Sequence, residues 1–347
     1  MPNPLIGVIY HWLGGAASAS FYVPYRGVRG WNWEILWLTG GLVSWLVMPW
    51  LFAGTLTHDL VGVLLRTPPA VSGLCVLFGM LWGFGGLTYG LTMRYLGLSL
   101  GMAVVLGLCT VFGTLLPPIV TGSVAATLID RPGGRAVLLG LAVTLAGIVV
   151  VAHAGARRDR AARVDAADAV RDARFGRGVA TAIFSGVMSS CFAFGLAAGA
   201  PVRALSAAAG TDALWTGLPV LCLVMAGGLV TNAGWCAILI AKHRSAGQWF
   251  GRAGADGLAR NYALAAVGGA LWYLQFFFYS MGESQMGRFG FTSWTLHMAS
   301  IIIFGFLWGL SLGEWRGAAP PVRRTAYAGV AALVLATGII GYGNMLG

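Results

Sequence analysis

Charge is what this chain has least of. Only 10% of its 347 residues are Asp, Glu, Lys or Arg, where soluble domains carry about 25%. A soluble enzyme of this size needs far more charge to cover its surface, and 58% hydrophobic residues exclude disorder. Cysteine is sparse as well. Cys75, Cys109, Cys191, Cys222 and Cys236 all stand in apolar stretches without a CxxC pair, which argues against a disulfide framework or a metal site and for buried thiols. HExxH, Walker A and GxGxxG phosphate-loop motifs are missing. Residues 1–5 carry no basic segment and no cleavage signal follows, so the first apolar run is expected to be retained. The net charge of +11 does not point to nucleic acid, because no soluble domain gathers the basic residues.

What is present is apolar sequence in membrane-length pieces. Runs of about 20 residues recur along the chain, and glycine, 53 residues, is abundant as in closely packed membrane helices. The pattern predicts an all-α membrane protein with ten transmembrane helices, spanning 5–23, 36–56, 70–93, 97–120, 136–154, 178–199, 214–240, 262–281, 293–312 and 326–346. One long polar insert, 156–177, holds seven arginines and four aspartates and divides the chain into halves, 1–155 and 178–347. Within it Asp159 and Arg163 are spaced to pair on a helix surface. The odd-numbered connections hold seventeen of the Lys and Arg residues and the even-numbered ones five. The odd connections are therefore expected in the cytoplasm, with both termini outside it.

The halves resemble each other. A shift of 171 residues lays Gly7, Val8, Gly15, Ser18 and Phe21 on Gly178, Val179, Gly186, Ser189 and Phe192. A shift of 190 lays Leu81, Trp82 and Tyr89 on Leu271, Trp272 and Tyr279. Five spans per half is an odd number, so the second half inserts inverted. Inverted repeats mark secondary transporters, whose site lies near the midplane between the halves.

Polar groups inside spans are costly and point to function. In span 1, Gly7, His11, Gly14 and Ser18 share one helical face. In span 8, Trp272, Gln275, Tyr279 and Glu283 do the same, and Trp82 and Tyr89 repeat that face in span 3. Aromatic rings suit the C–H side of a sugar, and amide and phenol groups suit its hydroxyls. Span 9 aligns Ser293, His297 and Ser300, and Asn232 is a polar group within span 7. Substrate contacts are thus expected from Trp272, Gln275, Tyr279, Trp82, Tyr89, Asn232 and Ser18. If a proton is moved, its carriers are His11, His297 or Glu283. Arg94, at the end of span 3, reads as an interfacial anchor. Gly-Leu-Ser-Leu-Gly occurs at 97–101 and 309–313 and superficially matches the GxSxG elbow, which keeps a membrane enzyme acting through Ser99 or Ser311 as an alternative, beside a sugar receptor.

Several stretches carry a resemblance: Gly-Ala-Ala-Ser-Ala-Ser-Phe-Tyr (15–22) after His11, Trp31, Trp33, Glu34, and Pro-Trp (49–50). Others are Tyr-Gly-Leu-Thr-Met-Arg-Tyr-Leu-Gly (89–97), Trp-Tyr-Leu-Gln-Phe-Phe-Phe-Tyr (272–279), Leu-His-Met (296–298) and Glu-Trp (314–315). At these residues the chain resembles the L-rhamnose–proton symporter family of the drug/metabolite transporter superfamily. The resemblance implies ten helices in two inverted five-helix repeats, in a bacterial inner membrane. It also implies import of L-rhamnose with a proton as the coupling ion, and no other cofactor.

Overall fold

In the computed structural model the described residues are 2–96, 98–120, 122–161, 171–251, 257–313 and 315–346, and they form helices joined by turns, with no strand. Ten long helices follow the expected spans: α1 Pro4–Ser20, α2 Trp33–Leu56, α3 Pro69–Leu96, α4 Leu98–Val120 and α5 Pro132–Ala161, then α6 Arg171–Ala198, α7 Leu218–His243, α8 Leu258–Gln285, α9 Ser293–Ser311 and α10 Pro320–Leu346. Eight of them are long and apolar enough to cross a membrane. The other two are α1, which at 17 residues is at the short limit for a span, and α4, whose described apolar part is Val104–Leu116. The expected Asp159–Arg163 pair and the side chains of Arg94 and Ser99 lie outside the described residues.

Local chemistry explains the start of α1 and both ends of α7. The Asn3 side chain caps α1, accepting from the Leu5 and Ile6 amides, and Pro4 takes the first turn, where its missing N–H costs nothing. Pro219 does the same for α7, which therefore begins at Leu218 rather than near 214. α7 ends on Arg244 in the left-handed conformation (φ 52°), whose N–H donates back to the Ala241 and Ile240 carbonyls and so closes the helix end.

α2 is interrupted. Pro49 has no N–H to give the preceding turn, and the backbone widens into a π-helical turn over Val43–Val47 before resuming as Met48–Leu56.

Glycines set the closest crossings. A Cβ on Gly79 of α3 would collide with the Val224 backbone of α7, and one on Gly269 of α8 with the Gly40 backbone of α2. α1 packs against α8 and α9, α6 against α3 and α4, and α5 against α10. The largest buried cluster, with Trp82, Phe192, Phe276, Tyr279 and Trp294 among its members, lies where these groups meet. At the helix ends on the odd-connection side, a buried Glu34 carboxylate accepts from the Ser245 hydroxyl (2.9 Å) and the Asn32 amide (3.1 Å). His243 Nδ1 lies 2.9 Å from the same carboxylate oxygen, which ties the start of α2 to the end of α7.

Candidate functional site

Two groups of side chains meet inside the bundle. The first is made of rings from three helices. His11 of α1, Tyr279 of α8 and His297 of α9 form a triangle, with ring centroids 5.4 Å apart for His11–Tyr279 and Tyr279–His297 and 6.4 Å for the two imidazoles. All three side chains are buried. Glycine makes this possible: a Cβ on Gly282 would stand 2.7 Å from the His11 ring, and one on Gly14 would stand 3.1 Å from the His297 ring. Trp294 closes one side, 5.6 Å from Tyr279, held by its indole N–H donating to the Cys109 carbonyl (3.0 Å). The Ser300 hydroxyl, 2.9 Å from the His11 carbonyl and 2.7 Å from that of His297, ties α1 to α9 beside the pair.

Neither ring nitrogen of His11 or of His297 has a hydrogen-bonding partner among the described residues. Buried polar atoms are nearly always paired. Two adjacent imidazoles left without internal partners are therefore equipped to exchange protons or to meet a polar solute.

The second group is aromatic. Trp272 packs on Phe21 (4.4 Å) and Trp37 (6.2 Å), and Trp37 on Trp45 (5.9 Å). The indole N–H groups of Trp45 and Trp272 and the Ser44 hydroxyl are also buried without partners among the described residues. Ser44 and Trp45 belong to the widened turn of α2, so the backbone irregularity and the unpaired donors coincide. Phe276 links the two groups, 5.9 Å from Trp272 and 4.4 Å from Phe192, and Phe192 lies 6.5 Å from Tyr279.

The other expected residues take different places. Trp82 lies in the link, against Phe192 and Phe276. Ser18 is buried two turns beyond His11, and Tyr89 is half-buried on α3. Gln275 is buried, with its amide donating to the Trp272 carbonyl one turn back (3.0 Å). Asn232 accepts from the Trp37 indole (2.9 Å), which ties α7 to α2, and donates to the Gly228 carbonyl one turn back in its own helix (2.9 Å). Glu283 lies one turn from Tyr279 and 3.7 Å from Arg203, which stands between α6 and α7 of the same half. Ser311 donates to the Leu307 carbonyl at an exposed position (3.0 Å). Trp37, Ser44, Trp45, Phe192 and Trp294 were not expected. Nothing in the spacing of Trp45 or Trp294 marks them as facing a site.

A family model described as L-rhamnose-proton symport protein (RhaT) matches residues 1–346. The chain belongs to this family. Its description is of a symporter rather than an enzyme. Proteins named L-rhamnose-proton symporter from Cronobacter sakazakii and from Klebsiella pneumoniae subsp. pneumoniae are each 35% identical over 340 residues. One of the same name from Salmonella paratyphi B is 36% identical over 345 residues. In each case the match covers 97% of both chains. Family membership and the apolar helices together make this a multi-span membrane transporter.

Proposed function

We propose that this protein carries L-rhamnose, or a closely related monosaccharide, together with a proton across the bacterial inner membrane by alternating access. The observation that carries the reading is the buried His11–His297 pair, unpartnered and contributed by two helices, a short way from an aromatic group that also holds unpaired donors. Two positive charges at that spacing repel, which suits the pair to one proton at a time. Trp272, with Trp45 and Ser44 beside it, offers a sugar one apolar face and two hydrogen-bonding groups. The coupling ion is the proton, and no cofactor is part of the proposal.

In this reading α1 to α10 all cross the membrane, as two inverted five-helix repeats, 1–155 and 178–347, joined by the charged linker 156–177. Packing supports it. Phe21 on Trp272 (4.4 Å) and Phe192 on Trp82 (5.1 Å) exchange under the two sequence shifts. Gly15 meets Ser300 of α9 where its counterpart Gly186 meets Leu108 of α4. Gly269 meets α2 where its counterpart Gly79 meets α7. Such exchange is expected when two halves share one fold about a two-fold axis in the membrane plane.

The deciding experiment is uptake of labelled L-rhamnose by proteoliposomes, with and without an inward proton gradient. Accumulation driven by the gradient is expected. Binding without uptake would favour a receptor, and hydrolysis of a membrane substrate lost in Ser311→Ala would favour an enzyme.

The seventeen-to-five distribution of Lys and Arg supports termini on the outer face. A C-terminal reporter active only in the cytoplasm is expected to stay silent. A strong signal would reverse the orientation without touching the transport reading.

A further inference from the structure

On the odd-connection side a strip of hydrogen bonds joins the two halves of the chain. Residues 29–34, which lead into α2, face residues 243–248 at the end of α7 and Asn261 in the first turn of α8. Asn261 exchanges two bonds with Arg29: its side-chain oxygen accepts from the Arg29 backbone N–H (3.2 Å) and its side-chain nitrogen donates to the Arg29 carbonyl (2.7 Å). Gln248 clasps Asn32 in the same way. It accepts from the Asn32 backbone N–H (2.6 Å) and donates to the Asn32 side-chain oxygen (3.0 Å). Its backbone carbonyl accepts from the Trp31 indole (3.0 Å). The buried Glu34 carboxylate stands at the inner end of the strip, with Ser245 and His243 both 2.9 Å from one oxygen. Towards the opposite helix ends the described hydrogen bonds between the halves are scattered, joining Asn3 to Gln285 (3.1 Å), His58 to Thr211 (2.9 Å) and Thr114 to Thr295 (2.6 Å).

The strip also has a telling position. Trp37, one turn inward of Glu34 on α2, stacks on Trp33 (5.5 Å) and packs on Trp272 (6.2 Å). The strip therefore stands between the aromatic group and the odd-side surface. Its bonds are of a kind that can be broken and remade. His243 is exposed, and Trp31, Asn32 and Gln248 are half-buried. Water can take up each bond as the partners separate, and a bond exchanged for water costs little. Bonds deep in the bundle, such as that from Ser185 to the Gly85 carbonyl (2.8 Å), have no such replacement.

We propose that this strip is the gate of the odd-connection side, closed in this structure, with Glu34 as its central positioning residue. When the strip parts, the aromatic group becomes open to that side. The inference rests on the transport reading above, since a gate has a purpose only in a carrier.

The test reads opening without reading transport. Cys236 is buried two turns before His243 on the same face of α7, behind the gate. Cys75 and Cys222 are buried near the opposite ends of α3 and α7. Modification of a buried thiol follows the opening that exposes it. Alkylation of the purified full chain by N-ethylmaleimide, quantified at each cysteine by mass spectrometry, thus separates opening on one side from general loosening. Glu34→Ala should speed modification of Cys236 roughly tenfold, as loss of a bond to a charged group implies, with Cys75 and Cys222 unchanged. Glu34→Gln still accepts from Ser245 and should react more slowly than the alanine variant. Gln248→Ala removes the Asn32 clasp from outside the spans, so it decides the matter if Glu34→Ala does not fold. It should speed Cys236 in the same selective way. Unchanged modification of Cys236 in Gln248→Ala would overturn the proposal, and so would equal acceleration at all three cysteines. Intact L-rhamnose uptake with unselective alkylation would overturn the gate alone, whereas no uptake by the unaltered chain would overturn the transport reading itself.

Discussion

His11→Gln is expected to abolish accumulation of L-rhamnose against its gradient while leaving downhill exchange of the sugar measurable. Coupling is a reciprocal free energy: protonation must favour sugar binding by as much as sugar binding favours protonation. Glutamine keeps a polar group of similar reach beside Tyr279 and Gly282 but takes up no proton in the cellular range. The variant should therefore lose the response to an imposed gradient and the pH dependence of uptake together. His297→Gln is the matched comparison, because its ring stands 6.4 Å away and is equally buried. If the His11 variant still concentrates sugar with ordinary pH dependence while the His297 variant does not, the proton role passes to His297. Glu283→Gln should have the smallest coupling effect of the three, since its carboxylate lies beside Arg203.

The second large effect is expected at Trp272. Truncation to alanine removes the ring that packs on Phe21 and Trp37 and deletes an unpaired buried N–H. Loss of stacking and of buried area should weaken sugar binding by about 1–3 kcal/mol, or roughly 5-fold to 150-fold. Equilibrium binding of labelled L-rhamnose to the purified variant reads this directly. Trp272→Phe should recover the stacking part of the loss but not the N–H part. Unchanged affinity in Trp272→Ala, with normal expression, would return this residue to packing alone.

Hydropathy made the spans legible because the bilayer imposes one length and one polarity on every crossing segment. It was less informative about ends. α5 runs on through Arg157 and Arg158, well past the expected 154, because a helix leaving the hydrocarbon keeps its own hydrogen bonds and long basic side chains remain at the interface. The face arithmetic put His11, Tyr279 and His297 each on a polar side of its own helix. That three such sides converge depends on which helices touch, and periodicity within one helix carries no information about that. Asn232 shows the same limit from the other side. A mid-span amide reads as functional until the indole of Trp37, 195 residues away in sequence, is found to use it. Trp294 and Phe192 are ordinary core aromatics by composition, and only their neighbours set them beside Tyr279.

The widened turn at Val43–Val47 has a mechanical meaning. The part of α2 before it is bound to α7 and the following loop through Glu34, His243 and Ser245, while the part after it packs with Phe52 against Tyr273 and Phe277 of α8. Both parts of α2 also share α7 and α8 as neighbours, and the regular ladder is interrupted between them, with Ser44 and Trp45 at the joint. Bending there sacrifices fewer regular hydrogen bonds than bending in mid-ladder, so a swing of one end of α2 against the other would re-aim the donors beside Trp272 as it proceeds. Amide hydrogen exchange should accordingly be faster at Val43–Val47 than in either flank, and slower there once sugar is bound. Uniform protection along α2 would mean that it moves as a single rod.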